Sequence, residues 1–426
     1  MIQFKNSVMT AAAGMQDFLH AERSSCVTTV GRELLVCLVS LFLIASVLSL
    51  SPPLGLLLVL PKNFVFIICC ALYLVLTPDS WWESPIYLAL LMLISTFVSA
   101  VLAGNVQYLK YSLYVCLALL VISKTNHHML ERISDVLNKF VVLGLALSIL
   151  SFILNAVWPI EPSFVLENPD GRENGLYYFT FTNFVLPSAI RPAFVFDEPG
   201  TFSFVVCVAA ILRDILKKNK FVTGVILLLG LITFSLPQVV VLVLYLILNL
   251  REKKVRWLLI AVFALWCAVF FLLPAFTDVL DFFVSRFDFD PDGGLSGDNR
   301  SGQMKYFFEI LNDHVLFFGM PECFDGEDIC SNMSDLGSNP FTPISSYGLI
   351  VAWPFYLMLL MLVFAARLAE FRFAAIALVF LLLQRPFLFS FGYSLLIVMC
   401  VAPIFSASFK FFDAKPRFRA IGGMLK

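Results

Sequence analysis

Apolar residues fall in runs of membrane-span length along almost the whole chain, separated by short charged or Pro-rich breaks. A helix needs about twenty consecutive apolar residues to cross the ~30 Å hydrocarbon layer of a bilayer. On this pattern about twelve spans are expected. The first runs from about Leu34 to Leu50 or somewhat beyond, and others follow at roughly 64–77, 85–103, 108–123 and 137–157. After a polar segment come 192–212, 221–235, 237–250 and 257–274. Beyond a long polar stretch lie 343–366, 368–384 and 388–408. The 221–250 region reads either as one kinked helix or as two spans, since Ser235-Leu236-Pro237-Gln238 suits a kink or a turn. Residues 127–139 read as a short amphipathic helix lying at the membrane interface, with His127 and His128 as interfacial polar residues.

Two stretches, 158–191 and 275–342, are too polar to sit in lipid and read as large loops. The expected fold is therefore an all-α polytopic membrane protein, a single integral domain over 1–426 that opens with the segment 1–33. Residues 1–33 do not suit a secretory signal: the first apolar run lies well behind Lys5 and Arg23, and no small-residue cleavage site accompanies it. No inverted repeat of the kind common in secondary transporters stands out.

Composition sharpens this picture. The chain is 60% hydrophobic and 14% charged, with mean hydropathy +0.90, against about 25% charged residues in soluble domains. A conventional cytosolic enzyme core is excluded. The net charge of −1 conceals a strong asymmetry between loops and so says nothing about nucleic acid, which is not an expected partner. Arg213, Lys217, Lys218 and Lys220 punctuate one break, and Arg251, Lys253, Lys254 and Arg256 the next; Arg367 and Arg372 form a third group, and a basic tail ends the chain. With twelve spans these sets share one side with Lys5, Arg23 and Arg32, which the positive-inside rule assigns to the cytoplasm. Both termini are expected inside, in a bacterial inner membrane, and both large loops in the periplasm. The 77–84 turn runs against this assignment, carrying Asp79 and Glu83 and no base.

The second loop is acidic, with thirteen carboxylates between 278 and 335 against Arg286, Arg300 and Lys305. Asp288, Asp290 and Asp292 followed by Gly293 resemble the first half of a calcium loop, but Asn299 stands where a bidentate Glu is required. A Ca2+ site and a solvated acidic turn both fit; no other cofactor is expected. Cys323 and Cys330 are candidates for a disulfide in an oxidising compartment. Most of the other cysteines lie in apolar runs and read as packing residues.

Candidate chemistry gathers on the outer side. Arg191, Arg286, Arg300 and Arg385 fall there, and arginine offers a planar, always-charged fork that matches phosphate oxygens. They can recognise an anionic lipid headgroup or neutralise nearby carboxylates. Glu198, near Arg191 and followed by Pro199-Gly200, can act as a general base or orient Arg191 through an ion pair. His314, the one histidine on this side, ends an amphipathic stretch that begins at Arg300; it reads as a helix-end residue or as a second candidate base. No His-Glu-x-x-His, Walker loop or Gly-x-Ser-x-Gly motif occurs, which argues against zinc proteases, ATPases and serine hydrolases.

These features together resemble the O-antigen polymerase (Wzy-type) family of bacterial inner-membrane proteins. The resemblance rests on the architecture and on three short motifs in order: Arg191…Glu198-Pro199, Arg300…Leu316-Phe317-Phe318-Gly319, and Ser338-Asn339-Pro340-Phe341…Tyr347-Gly348. It implies glycosyl transfer from a polyprenyl-diphosphate-linked oligosaccharide to another lipid-linked repeat unit at the periplasmic face, with arginines instead of a metal stabilising the leaving group. It also implies substrate contacts at Arg191, Arg286, Arg300, Arg385 and Asn339, and a chain-length regulator protein as a partner. The related ligases place a functional histidine where this chain has Ser338, which argues against ligation. A flippase or transporter of the same glycan is the main alternative, opposed by the scarcity of mid-span charges.

Overall fold

The computed structural model describes residues 33–47, 50–51, 53, 62–77, 83–167, 173–186, 189–249, 276–285, 299–320, 339–386 and 391–413, and scattered positions between 257 and 271. The described chain is mostly helical. Helices α1 (Glu33–Val47), α2 (Lys62–Leu76), α3 (Glu83–Ala103) and α4 (Gln107–Ser123) lead to α5 (His127–Val157). After a short β segment come α6 (Pro199–Ile215), α7 (Lys220–Leu229) and α8 (Leu236–Asn249). The second loop contributes α9 (Phe276–Ser285), α10 (Asn299–Ile310) and α11 (Asp313–Phe318). The chain closes with α12 (Thr342–Ala365), α13 (Arg372–Gln384) and α14 (Phe391–Asp413).

Among the described residues, three helices are long and apolar enough to cross a membrane: Ile86–Ala103, His127–Val157 and Thr342–Ala365. Shorter apolar helices of 10–17 residues stand at most of the other expected span positions. The surface chemistry agrees with lipid contact. On α3, Leu90, Ile94, Phe97 and Val101 are all half-exposed or more, a continuous apolar face that a water-soluble surface rarely carries.

Helix α6 is the centre of the molecule. Every residue from Pro199 to Ile215 is buried except Gly200 and Asp214, as expected for a helix that is apolar all round. It packs against α5, α7, α8, α13 and α14. Cys207, Ala209 and Ala210 keep its girth small, which lets neighbouring backbones approach.

Two expectations change and one open alternative is resolved. The stretch 127–139 is no separate interfacial helix: α5 runs unbroken for 31 residues. Asn126 starts it by accepting a hydrogen bond from the Met129 N–H at 2.8 Å, and Met129, Leu130, Ile133 and Leu137 continue the buried face seamlessly into the apolar run. The first loop is not irregular. Phe164–Glu167, Glu173–Tyr177 and Thr180–Thr182 (β1–β3) form an antiparallel meander, and Val185–Leu186 with Ala189–Ile190 (β4, β5) a small hairpin, so the fold is not purely α. The reason is local, since β-branched and aromatic residues crowd this stretch and favour strands. Finally, 221–250 makes a turn. Helix α7 tightens into a 3-10 turn at Gly230–Thr233, Phe234 adopts φ 49°, and α8 returns against α7.

The sheet is stitched to the chain that leads into α6. The Thr180 hydroxyl accepts from the N–H groups of Ala193 (3.1 Å) and Phe194 (2.6 Å), and Phe181 exchanges backbone bonds with both residues. Phe194, at φ 56°, sits over Gly144 of α5, where a Cβ would meet its ring at 2.6 Å. Phe140, Phe194, Phe196 and Phe202 form one aromatic cluster with centroids 5.2–6.4 Å apart. This clamp sets where Glu198 begins α6.

Candidate functional site

Helix α6 opens with Glu198-Pro199-Gly200-Thr201. Proline at the first helical position fixes φ and needs no hydrogen-bond partner there. Glu198 is the N-cap in extended conformation, and its carboxylate makes no capping bond. It turns outward and pairs with the Arg385 guanidinium. Arg385 caps α13 just before Pro386 in a non-helical conformation, and its side chain reaches the start of α6. Gly200 makes room for it: a Cβ there would collide with the guanidinium.

Two hydroxyls complete the cluster. Arg385 donates from Nη1 to the Tyr393 hydroxyl at 3.1 Å and lies 3.5 Å from the Thr201 hydroxyl. Thr201 reaches Glu198 Oε1 at 3.3 Å and Asp197 Oδ1 at 3.4 Å. Tyr393, near the start of α14, packs edge-on against Phe204 at 4.9 Å. Burial disfavours the Arg385 charge, but the Glu198 carboxylate and the Tyr393 hydroxyl outweigh it and hold the guanidinium above its ordinary pKa. The pair is only partly exposed, 14% for Arg385 and 25% for Glu198. The result is a fixed cation and a carboxylate, both only partly exposed, at the meeting point of three helix ends.

A cavity of about 350 Å3 opens along the last turn of α13, walled by none of the cluster's own side chains. Leu236 and Pro237 at the start of α8 form one wall, Leu381 and Gln384 of α13 another, and Met304 of α10 a third. Gln384 directly precedes Arg385, so the charged cluster and an apolar cavity share one helix end. Helix α10, which opens at Asn299-Arg300, thus docks by Met304 against the ends of the spans. Phe307, 2% exposed, stacks on Phe341 at 5.2 Å and 5° and secures it there.

Helix α11 follows and is keyed to α12. Asn312 caps it by accepting from the Val315 N–H at 2.9 Å. It ends at Gly319 (φ 69°), which lies against Gly348 (φ 72°), the non-helical break inside α12. The Met320 N–H donates to the Ser345 carbonyl at 2.8 Å, and the Tyr108 hydroxyl to the Phe318 carbonyl at 2.5 Å. The glycine of the second motif and the glycine of the third therefore meet in space.

The expected site residues divide among these places. Glu198 and Arg385 are together as an ion pair, and Arg191 is bonded to the α7–α8 corner. Arg191 is 8% exposed; its Nη2 donates to the carbonyls of Phe234 (3.0 Å) and Thr233 (3.3 Å), and it rests on the Phe184 ring at 4.9 Å. It anchors the α7–α8 corner, two residues from the cavity wall at Leu236. His314 is exposed on α11, 5.5 Å from the Phe318 ring. Asn339 is fully buried, and its side-chain carbonyl accepts from the Phe341 N–H at 2.8 Å, shaping the turn into α12. Arg300 lies in the first turn of α10. Arg286, the acidic run Asp288, Asp290 and Asp292, Ser338, and the pair Cys323 and Cys330 lie outside the described residues. Among the described residues no group of three or more His, Cys, Asp and Glu side chains is placed to hold a metal ion.

Thr201, Gly200 and Tyr393 join the site without having been singled out in the sequence. Gly200 had a visible signal in its place after Glu198-Pro199; Tyr393 had only its position eight residues after Arg385. Compared with known protein families, characterised proteins and solved structures, the chain matches none.

Proposed function

We propose that this protein is a glycosyltransferase of the O-antigen polymerase type, which joins lipid-linked repeat units at the outer face of the membrane. The observation that carries the reading is the Arg385–Glu198–Tyr393 cluster, which shares the end of α13 with an apolar cavity. A polyprenyl-diphosphate glycan needs both parts, cationic donors for its diphosphate and an apolar recess for the adjoining isoprenyl units.

In this mechanism the diphosphate competes with Glu198 for the Arg385 guanidinium. Arginine is a bidentate phosphate partner, so the exchange retains its hydrogen bonds. Glu198, relieved of its cation, becomes a stronger base. It takes the proton of the acceptor sugar hydroxyl as that oxygen attacks the anomeric carbon of the donor. The anomeric C–O bond breaks, and its electron pair leaves on the lipid diphosphate. Arg385 and Arg300 stabilise that charge, with His314 as the second candidate base and Arg191 setting the wall of the site. The partners on this reading are the lipid-linked oligosaccharide and a chain-length regulator protein.

A second reading, transport of the same glycan, draws on the broken helices: the α7–α8 corner at Phe234 and the break in α12 at Gly348. Interrupted helices are a recurrent device of transporters. One experiment separates the two. The lipopolysaccharide of a deletion strain, run on a gel, carries single-repeat caps if the protein polymerises and naked core if it transports or ligates. In the deletion strain, a plasmid-borne Arg300→Ala chain is expected to reach the membrane and leave only single-repeat caps; normal ladders would remove Arg300 from the mechanism.

A further inference from the structure

The opposite end of the α5–α6–α7 group carries a second cationic site that the proposed chemistry does not use. A cavity of about 680 Å3 opens there between α5, α6 and α7, and one of about 500 Å3 between α5 and α1. The smaller is walled mainly by apolar side chains and the larger by apolar and polar side chains in equal share, and the two have Arg132 and Val136 of α5 in common. Arg132, Val136, Lys139, Leu143 and Ala146 are exposed at helical spacing along one face of α5. The two troughs therefore part on either side of one arginine.

The charge balance of this region is positive. Arg132, Lys139 and Arg213 line the larger cavity against a single acid, Asp135, which Lys218 already engages at 3.2 Å. Neither Arg132 nor Lys139 has an ion-pair partner among the described residues. Arg213 is held in place by bonds from Nε to the Thr223 hydroxyl (2.9 Å) and from Nη2 to the Asn219 carbonyl (3.3 Å). Lys139 lies about 10 Å further along the helix than Arg132. Both stems start from the same exposed face of α5, with the groove between them.

Asn138 lines the same cavity at 7% exposure, and its amide nitrogen donates to the Ser134 hydroxyl at 3.3 Å, so the cations are the binding groups of the groove.

We propose that this groove binds a two-chain anionic phospholipid: Arg132 and Lys139 hold the phosphate, and one acyl chain lies in each trough. Basic pockets between helices near the membrane surface are suited to anionic headgroups. The inference rests on the membrane character of the chain and is independent of the glycosyl-transfer reading.

The test uses the full chain, purified in detergent and stripped of lipid, titrated with fluorescent phosphatidylglycerol, with native mass spectrometry to count bound lipids. One phosphatidylglycerol is expected to bind more tightly than phosphatidylcholine. The double variant Arg132→Gln/Lys139→Gln, at exposed positions, is expected to weaken phosphatidylglycerol by about tenfold or more and to leave phosphatidylcholine unchanged. Equal binding of phosphatidylcholine by the unaltered chain would overturn the proposal, and that comparison needs no variant to fold. So would unchanged phosphatidylglycerol binding by a folded double variant. Displacement of the lipid by millimolar inorganic phosphate would show a free-anion site instead and overturn the assignment to lipid.

Discussion

Arg385 and Glu198, 187 residues apart in the chain, meet as an ion pair where α13 ends and α6 begins. Two helix termini are tied by one planar contact, and Tyr393 fixes the guanidinium from the third helix at 3.1 Å. Arg385→Ala leaves a partly buried carboxylate without its cation, and on the proposed mechanism it also removes a donor to the leaving diphosphate. Loss of one preorganised donor costs about 10²–10³ in rate. Arg385→Lys keeps the charge but not the fork, so it is expected to be nearly as poor. Repeat-unit ladders on a lipopolysaccharide gel, normalised to the amount of protein in the membrane, measure both. A Lys variant with normal ladders would reduce Arg385 to a simple counter-charge.

Gly200 allows a test that separates activity from stability. Alanine is a better helix former than glycine by about 1 kcal/mol, and the position is near the helix start, so Gly200→Ala should not weaken α6. Its Cβ, however, takes the place of the Arg385 guanidinium. The expected result is a protein whose melting temperature falls no further than that of Arg385→Ala, with shortened or absent ladders. Full activity would mean that Arg385 can work from another position.

The membrane class was legible because it depends on a repeated pattern. Span-length apolar runs need no partner to be recognised, and α3, α5 and α12 stand where those runs predict. The strands of 158–191 were not legible as such, because β1 to β3 are three to five residues long and take their order from Thr180 and Phe194, fourteen positions apart. Within the site, Glu198 and Arg385 could each be singled out as charges near apolar ends. Their pairing could not, since Arg191 was nearer in sequence and equally suitable. What decided it is the φ 49° turn at Phe234, which offers Arg191 two backbone carbonyls.

That competing role makes Arg191 the source of a contrasting prediction. Its charge-assisted bonds to the Thr233 and Phe234 carbonyls hold the corner between α7 and α8, and hydrogen bonds to charged groups contribute about 1.5–3 kcal/mol each. Arg191→Ala is expected to lower the melting temperature of the purified protein and its amount in the membrane. Ladder length per molecule should fall less than for Arg385→Ala. A variant that is fully stable but inactive would place Arg191 on the substrate and remove the anchoring role.

The contact between Gly319 and Gly348 yields the last prediction. Both take positive φ, 69° and 72°, where side chains with a Cβ are strained, and each would bring a Cβ into the other segment's backbone. Nothing flexible stands in the way: the obstacles are the Gly348 and Tyr347 nitrogens on one side and the Phe317 carbonyl on the other. Gly319→Ala must therefore separate α11 from α12 or unwind the end of α11. Backbone strain of this kind costs on the order of 1–3 kcal/mol before any clash is counted. The separation breaks the Met320–Ser345 and Tyr108–Phe318 bonds and loosens the chain between α10 and α12. Limited proteolysis of membranes is the direct measurement: cleavage after residues of α11 should quicken in Gly319→Ala and in Gly348→Ala. It should be no faster in His314→Ala, whose side chain is exposed. Equal protection in all three would show that the two glycines are not needed for close approach.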